Sequence, residues 1–328
     1  MSHSVHVTAS SRLHFGLWSL AGASGRQFGG VGAMIDRPGL RLRIAAQEGG
    51  QSGDACAMAK GPLAARAVAF ADRWAEFHGA SAHHCRIIIE SAPQEHAGLG
   101  TGTQLALAVA AGLNAYCGLP SQTPQELALS VGRGLRSAVG TYGFVFGGLI
   151  VEQGKLPEEP ISPLDCRIDL PEEWQFVLLR EASASGLAGE DEVAAMASLP
   201  AVPSAVTEEL IALVRDRLVP AAATNDFPAF AANLYRYGNL SGQCFEARQG
   251  GPYNGPVLTS LVERVRSLGF EGVGQSSWGP TLFVAAASES ESARLVSLLR
   301  EDEAGRRLEI EIAPVCNRGA QIEVRGSA

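Results

Sequence analysis

The 328-residue sequence predicts an α+β fold in two lobes. Three observations lead there. The chain exceeds the roughly 250–300 residues at which a single hydrophobic core stops growing. Stretches of period-2 apolar patterning alternate with stretches of helical period and few long insertions separate them, the pattern of helices packed on sheets. A segment rich in proline and charge, Leu156–Asp165, interrupts the pattern near the middle and reads as a connection. The expected lobes cover residues 1–165 and 166–328.

Each element has its own signal. His3–Leu17 alternates well enough for an edge strand and turn, and Leu40–Ala46 alternates apolar residues with arginine, as a half-exposed strand does. Leu63–Phe77 reads as a helix and Cys85–Ser91 as a strand. After Gly102, the residues Leu105, Ala108, Val109, Gly112 and Leu113 share one helical face. Thr123, Pro124 and Glu126 form a capping-box start to another helix. Gly140–Gly154 is glycine-rich and β-prone. In the second half Trp174–Arg180 reads as a strand, followed by helices over Thr207–Val219, from Pro228, and over Pro256–Leu268. A short strand, the turn Gly274–Thr281, the strand Leu282–Ala287, a helix over Glu289–Arg300 and strands at Leu308–Pro314 and Ala320–Arg325 complete the chain.

Composition narrows the function classes. Apolar residues make up 46%, charged residues 18% and glycines number 38, a globular profile with many close turns. A net charge of −8 argues against a broad grip on nucleic acid or an anionic membrane, so any phosphate site must be local. Cys56, Cys85, Cys117, Cys166, Cys244 and Cys316 form no CxxC pair, and no secretory leader is evident. Reduced thiols and a cytoplasmic location are the expectation, with neither structural zinc nor a membrane span.

Three segments carry candidate chemistry. Gly98, Gly100 and Gly102 alternate just before an apolar helix, and glycine backbone amides continued by a helix N-terminus bind anions with little side-chain charge. Thr101, Thr103 and Gln104 add hydroxyl and amide donors. The spacing is neither Rossmann nor Walker, and the plainer alternative is a tight turn. Ser11–Pro38 holds Arg12, His14 and Arg26 among glycines, where arginine can take a phosphate or carboxylate bidentately; a solvated arginine pair and a packed histidine are the plainer alternatives. The third segment, Gly272–Ala287, offers Ser276, Ser277 and Gly279 as donors or as an ordinary hairpin.

The GLGTGT loop followed by the SSWGPT turn resembles the second and third signature motifs of the GHMP kinase superfamily. Adding SRLHFGL, GASGRQFGGVG, GRGLRSAVGTYGFVFGGLIVEQG and NRGA, the chain resembles the β-ribofuranosylaminobenzene 5′-phosphate synthase family from residue 11 to residue 320. That resemblance implies a GHMP-kinase-like fold, with an N-terminal mixed-sheet lobe, a C-terminal ferredoxin-like lobe and a site in the cleft between them. It also implies condensation of phosphoribosyl pyrophosphate with 4-aminobenzoate or 4-hydroxybenzoate, releasing CO₂ and diphosphate, in tetrahydromethanopterin biosynthesis, with Mg²⁺ and a homodimer.

The family resemblance assigns His14 and Arg26 to catalysis, with Arg26 holding the benzoate carboxylate or a phosphate. Arg12, Gly98, Gly100, Thr101, Gly102, Thr103, Gln104, Arg136, Ser276, Ser277, Gly279, Asn317 and Arg318 are the expected substrate-binding residues, Arg136 or Arg318 meeting the 5′-phosphate. No magnesium ligand is assigned. Two departures speak against the alternative, an ATP-dependent small-molecule kinase: Gly102 replaces the GHMP serine that helps hold magnesium, and Thr141 follows Gly140 where such kinases carry an aspartate. One departure touches the synthase pattern itself, since Ser19 stands where many members have an acid, which keeps a silent ligand-binding protein as a third alternative.

Overall fold

A computed structural model describes residues 3–20, 25–47, 58–79, 85–181, 194–195, 198–301 and 303–326. Cys56 and residues 21–24 of the second glycine segment lie outside the described residues. The strands are β1 (His3–Leu17), β2 (Gly30–Ala46), β3 (Met58–Lys60), β4 (Cys85–Ser91), β5 (Leu149–Glu152), β6 (Leu164–Ile168), β7 (Gln175–Glu181), β8 (Val273–Gln275), β9 (Leu282–Ala286), β10 (Leu308–Pro314) and β11 (Gln321–Gly326). The helices used below are α1 (Ala64–His78), α2 (Thr101–Tyr116), α3 (Pro124–Ser130), α4 (Val139–Phe146), α5 (Ser204–Leu213), α6 (Phe227–Gln243), α7 (Gly255–Ser267) and α8 (Glu289–Arg300).

Seven strands form the first sheet in the order β11-β1-β2-β4-β3, with β5 and β6 branching from β2. All its ladders are antiparallel except β3 with β4. The second sheet runs β10-β7-β9-β8 and is antiparallel throughout. Taken in chain order its strands stand fourth, first, third and second, with helices between the first and second and between the third and fourth, which is the ferredoxin-like arrangement.

Three sequence expectations change. The β1 strand is no edge over its first half, because β11 pairs His3–Thr8 from the other side. The expected lobe boundary at 165/166 therefore falls inside β6, a strand of the first sheet, and the chain returns to that sheet at its end. The β-prone stretch Gly140–Gly154 divides into helix α4 and strand β5. Its aromatic and β-branched content suits either state; the helix wins because Gly140 and Gly143, one turn apart, let α4 close on neighbours. A Cβ on Gly140 would lie 3.3 Å from Cγ2 of Thr103, and one on Gly143 would overlap the Met34 thioether.

Helix α2 is the axis of the first lobe. The sequence marks one apolar face, yet residues Gln104 through Asn114 are all buried, because α1, α3, α4 and the sheet enclose the helix. Trp74 of α1 packs in the same cluster as Val5, Val7, Leu42 and Ile44 and donates its indole N–H to Asn114 Oδ1 at 2.8 Å. The capping box at Thr123 forms as expected, with Glu126 Oε2 accepting from the Thr123 N–H at 2.9 Å.

The described cysteines are free thiols. No helix among the described residues is long and apolar enough to cross a membrane.

The approach of α2 to the sheet depends on Gly112, where a Cβ would come within 2.8 Å of Ile44 Cδ1 and 3.2 Å of Val7 Cγ2. Gly112→Val should cost about 1–3 kcal/mol through overpacking, read as a lower urea midpoint at unchanged slope.

Candidate active site

The glycine loop joins β4 to α2 and turns twice through left-handed backbone, at Gly98 (φ 79°) and Gly100 (φ 71°). Both positions lack room as well as freedom. A Cβ on Gly98 would stand 2.5 Å from the Ser276 carbonyl oxygen, and one on Gly100 would stand 3.3 Å from Cβ of Arg12. No side chain caps α2 at Gly100, and its first turn carries no acid, so its positive end is turned into a cavity of about 540 Å³ lined by Gly98 through Thr103.

The second-lobe turn closes over this loop through Ser276. Its hydroxyl donates to the Gly98 carbonyl at 2.7 Å and accepts from the His14 N–H at 3.1 Å, while the Ser277 N–H donates to the His14 carbonyl at 3.1 Å. Three segments far apart in sequence meet at one hydroxyl. Ser276 is thus a latch between the lobes and does not line the cavity, whereas Ser277 and Gly279 do.

Five arginines line the cavity, Arg12, Arg66, Arg73, Arg133 and Arg136, and no Asp or Glu does among the described residues. Arg66 and Arg73 come from α1, seven residues apart on its cavity side. Phe70, between them in sequence, has the Arg66 guanidinium 5.9 Å and the Arg133 guanidinium 4.8 Å from its ring centroid, an arrangement that orients both cations. Arg66 also pairs with Glu95, outside the lining. Arg66, Arg73 and Arg133 are absent from the sequence-derived site. The available signals were the i, i+4, i+7 series Arg66, Phe70, Arg73, and Arg133 flanked by two glycines of positive φ.

Gly102 is explained by the same arginines. A Cβ there would overlap Nη2 of Arg66 and lie 3.4 Å from Nη2 of Arg133, so a guanidinium occupies the space that a serine would need. Thr141 is buried within α4 and outside the lining.

Other expected site residues lie elsewhere. Arg26 forms a bidentate pair with Glu159, at 2.7 and 2.9 Å, and donates to the Gly154 carbonyl at 2.8 Å. Its charge is committed to the connection between β5 and β6, where it holds the Glu159 carboxyl below its ordinary range, and it does not line the cavity. Asn317 spends both ends of its amide on the Leu170 backbone, and Arg318 is largely solvent-exposed, 4.0 Å from Asp36. Gln104 is buried and donates to the Gly140 carbonyl at 2.9 Å, tying α2 to α4. Ser19 is buried, with its N–H on the Phe28 carbonyl. Arg12, His14, Gly98, Gly100, Thr101, Gly102, Thr103, Arg136, Ser277 and Gly279 are brought together around the cavity.

An acid missed in the sequence sits behind His14. Glu152 ends the buried strand β5; Oε1 accepts from the Ser137 hydroxyl and Oε2 from the Ala138 N–H, both at 2.6 Å. Ser137 Oγ lies 3.0 Å from His14 Nε2. Burial pushes the Glu152 carboxyl up to about 7, and burial followed by the Arg12 charge holds His14 well below the ordinary imidazole range. An acid closing the three-residue apolar run Leu149–Val151 between glycines was the signal.

The described residues hold no group of three His, Cys, Asp or Glu side chains able to bind a metal ion. On the second-lobe side, Leu17 and Trp278 share an apolar cluster with Phe245, whose ring meets Trp278 edge-on at 4.9 Å.

Comparison with known proteins agrees with this architecture. The sequence profile of the GHMP kinases N terminal domain matches residues 63–148 and that of the GHMP kinases C terminal domain matches residues 218–302. The beta-ribofuranosylphenol 5′-phosphate synthase of Methanothermobacter thermautotrophicus is 30% identical over 84% of this chain and 87% of its own. The protein of the same name from Archaeoglobus fulgidus is 29% identical over 98% of this chain and 100% of its own. Among solved structures, homoserine kinase from Cytophaga hutchinsonii superposes with a TM-score of 0.64 at 13% identity over 98% of this chain and 97% of that one. Mevalonate pyrophosphate decarboxylase from Streptococcus pyogenes reaches 0.69 at 11% identity over 96% and 97%. These two share the fold. The sequence relatives go further, and with the two domain matches they place this chain in the β-ribofuranosylphenol 5′-phosphate synthase family of the GHMP kinase superfamily.

Proposed function

We propose that this chain is a decarboxylating C-riboside synthase joining phosphoribosyl pyrophosphate to 4-hydroxybenzoate or 4-aminobenzoate. The observation that carries the proposal is the guanidinium of Arg66 over Gly102, inside a cavity lined by five arginines and no carboxylate. A kinase of this fold needs a magnesium-holding hydroxyl at that point and an acid near the attacking alcohol. Here the Arg66 guanidinium lies over the first place and a buried threonine takes the second.

In the proposed reaction the C1–oxygen bond of the sugar breaks and the electron pair leaves with diphosphate. The carboxyl-bearing ring carbon bonds to C1, and cleavage of its bond to the carboxylate returns an electron pair to the ring as CO₂ departs. The loop amides from Gly98 to Gly102 and the arginines stabilise the charge that grows on the leaving group. A substrate carrying a diphosphate and a 5′-phosphate matches a wall of several cations. Leu17, Phe245 and Trp278 offer an apolar face for the benzoate ring. Mg²⁺, expected for the family, would be carried on the diphosphate of the substrate, the way this ion is commonly held between phosphate oxygens and water. The homodimer expected for the family stays part of this proposal and is read by light scattering.

Carboxyl-labelled benzoate should release CO₂ only when phosphoribosyl pyrophosphate is present. No release at any pH, or ATP consumption with a sugar or isoprenoid alcohol, rejects the proposal. Arg133→Ala should raise KM for phosphoribosyl pyrophosphate by about 10- to 150-fold, corresponding to about 1.5–3 kcal/mol for a lost charge-assisted contact. Arg26→Ala should leave that KM unchanged and cost about 0–1 kcal/mol of stability, because its pair with Glu159 is partly solvated. The reverse ranking of the two variants would return Arg26 to the site.

A further inference from the structure

We propose that Glu152, Ser137 and His14 form a proton relay that decides whether His14 meets a ligand in the cavity as a hydrogen-bond acceptor or as a donor. The chain is continuous: Glu152 Oε1 lies 2.6 Å from Ser137 Oγ, which lies 3.0 Å from His14 Nε2. Both ends are held in place. The Ala138 N–H fixes the far carboxyl oxygen at 2.6 Å, and the His14 backbone is clamped by Ser276 and Ser277. His14 lines the cavity, and its ring bond to Ser137 runs through Nε2, which assigns Nδ1 to the ligand.

The hydroxyl between the two groups has one hydrogen, and this couples them. With Glu152 ionised, Ser137 donates to the carboxylate and accepts from Nε2–H, leaving Nδ1 with a lone pair for the ligand. With Glu152 protonated, the carboxyl donates to Ser137, which donates to Nε2, and Nδ1 carries the hydrogen.

Other charges facing Glu152 do not titrate in the same range. Arg12 on β1 remains cationic, and Tyr142 on α4 and Tyr237 on α6 are both pushed above the ordinary phenol range, chiefly by burial. Ser162 is a neutral partner. His14 is held well below the ordinary imidazole range, so near pH 7 the titrating group of the chain is Glu152.

Resting on the proposed reaction, the relay has a use with a 4-hydroxybenzoate acceptor. Nδ1 takes the 4-hydroxyl proton as Nε2–H passes to Ser137 and the serine proton to Glu152. The resulting phenolate makes the ring carbon more nucleophilic, and after CO₂ leaves the proton returns by the same route, so none is consumed. His14 is then the catalytic residue, and Ser137 and Glu152 are positioning residues.

The test needs no substrate. The whole chain, ¹⁵N-labelled at its seven histidines, is titrated by imidazole NMR from about pH 5.5 to about 8.5, with His14→Gln assigning the signal. His14 should move from the Nδ1–H to the Nε2–H tautomer with a midpoint at about 7 and without becoming imidazolium. Glu152→Gln and Ser137→Ala should each abolish the change, and Ser137→Ala carries the test alone if Glu152→Gln does not fold. A His14 signal that keeps one tautomer in the unaltered chain, or a transition that survives both substitutions, overturns the relay. In the aryl-transfer assay Ser137→Ala should also lose the limb of kcat that rises through about pH 7. The relay standing by NMR while CO₂ release is absent would reject the proposed reaction alone.

Discussion

The site depends on one hydroxyl. Ser276 donates to the Gly98 carbonyl and accepts from the His14 amide, drawing the glycine loop, the first strand and the second-lobe turn to a single point. The contact requires bare backbone, because any side chain at Gly98 would strike the Ser276 carbonyl. From this junction the cavity takes its walls: α2 directs its uncapped end inward, β1 carries Arg12 and His14 to the rim, and the turn brings Trp278 over the other side. Glycine at Gly98 therefore serves the meeting of the lobes as well as the approach of an anion.

Electrostatics are organised against the chain's average. The protein is acidic overall, at −8, yet its cavity gathers five arginines without a lining acid. The nearby carboxylates stand outside the lining: Glu95 on Arg66, Glu159 on Arg26, and Glu152 beneath Ser137. A low-dielectric wall of one sign concentrates potential where a polyanionic substrate would rest. Glu152 is held in check differently, by burial that favours its protonated form.

The residues that pattern exposed were those whose role is local. The capping box at Thr123, the helix over α1 and the glycine loop before α2 all follow from neighbours in sequence, and each stands where expected. Arg26 stands in a glycine-rich motif, yet its bidentate pair with Glu159, 133 residues away, follows from no local pattern. Arg133 and Arg66 were missed for the opposite reason: their convergence over Gly102 and Phe70 joins segments that no spacing rule connects.

What the sequence determined by itself was the two-lobed α+β architecture, the glycine loop leading into α2 and the family resemblance, because periodicity, caps and glycine placement act over a few residues at a time. What only the tertiary structure decided was which side chains face the cavity: Arg66, Arg73 and Arg133 line it, Arg66 while also paired with Glu95, Arg26 and Asn317 are held by partners elsewhere, and Glu152 is set behind His14. The physical reason is that a side chain's placement depends on its long-range partners, and those partners are chosen by the packing of the first sheet and helices α1, α3 and α4 around α2 and by the Ser276 latch.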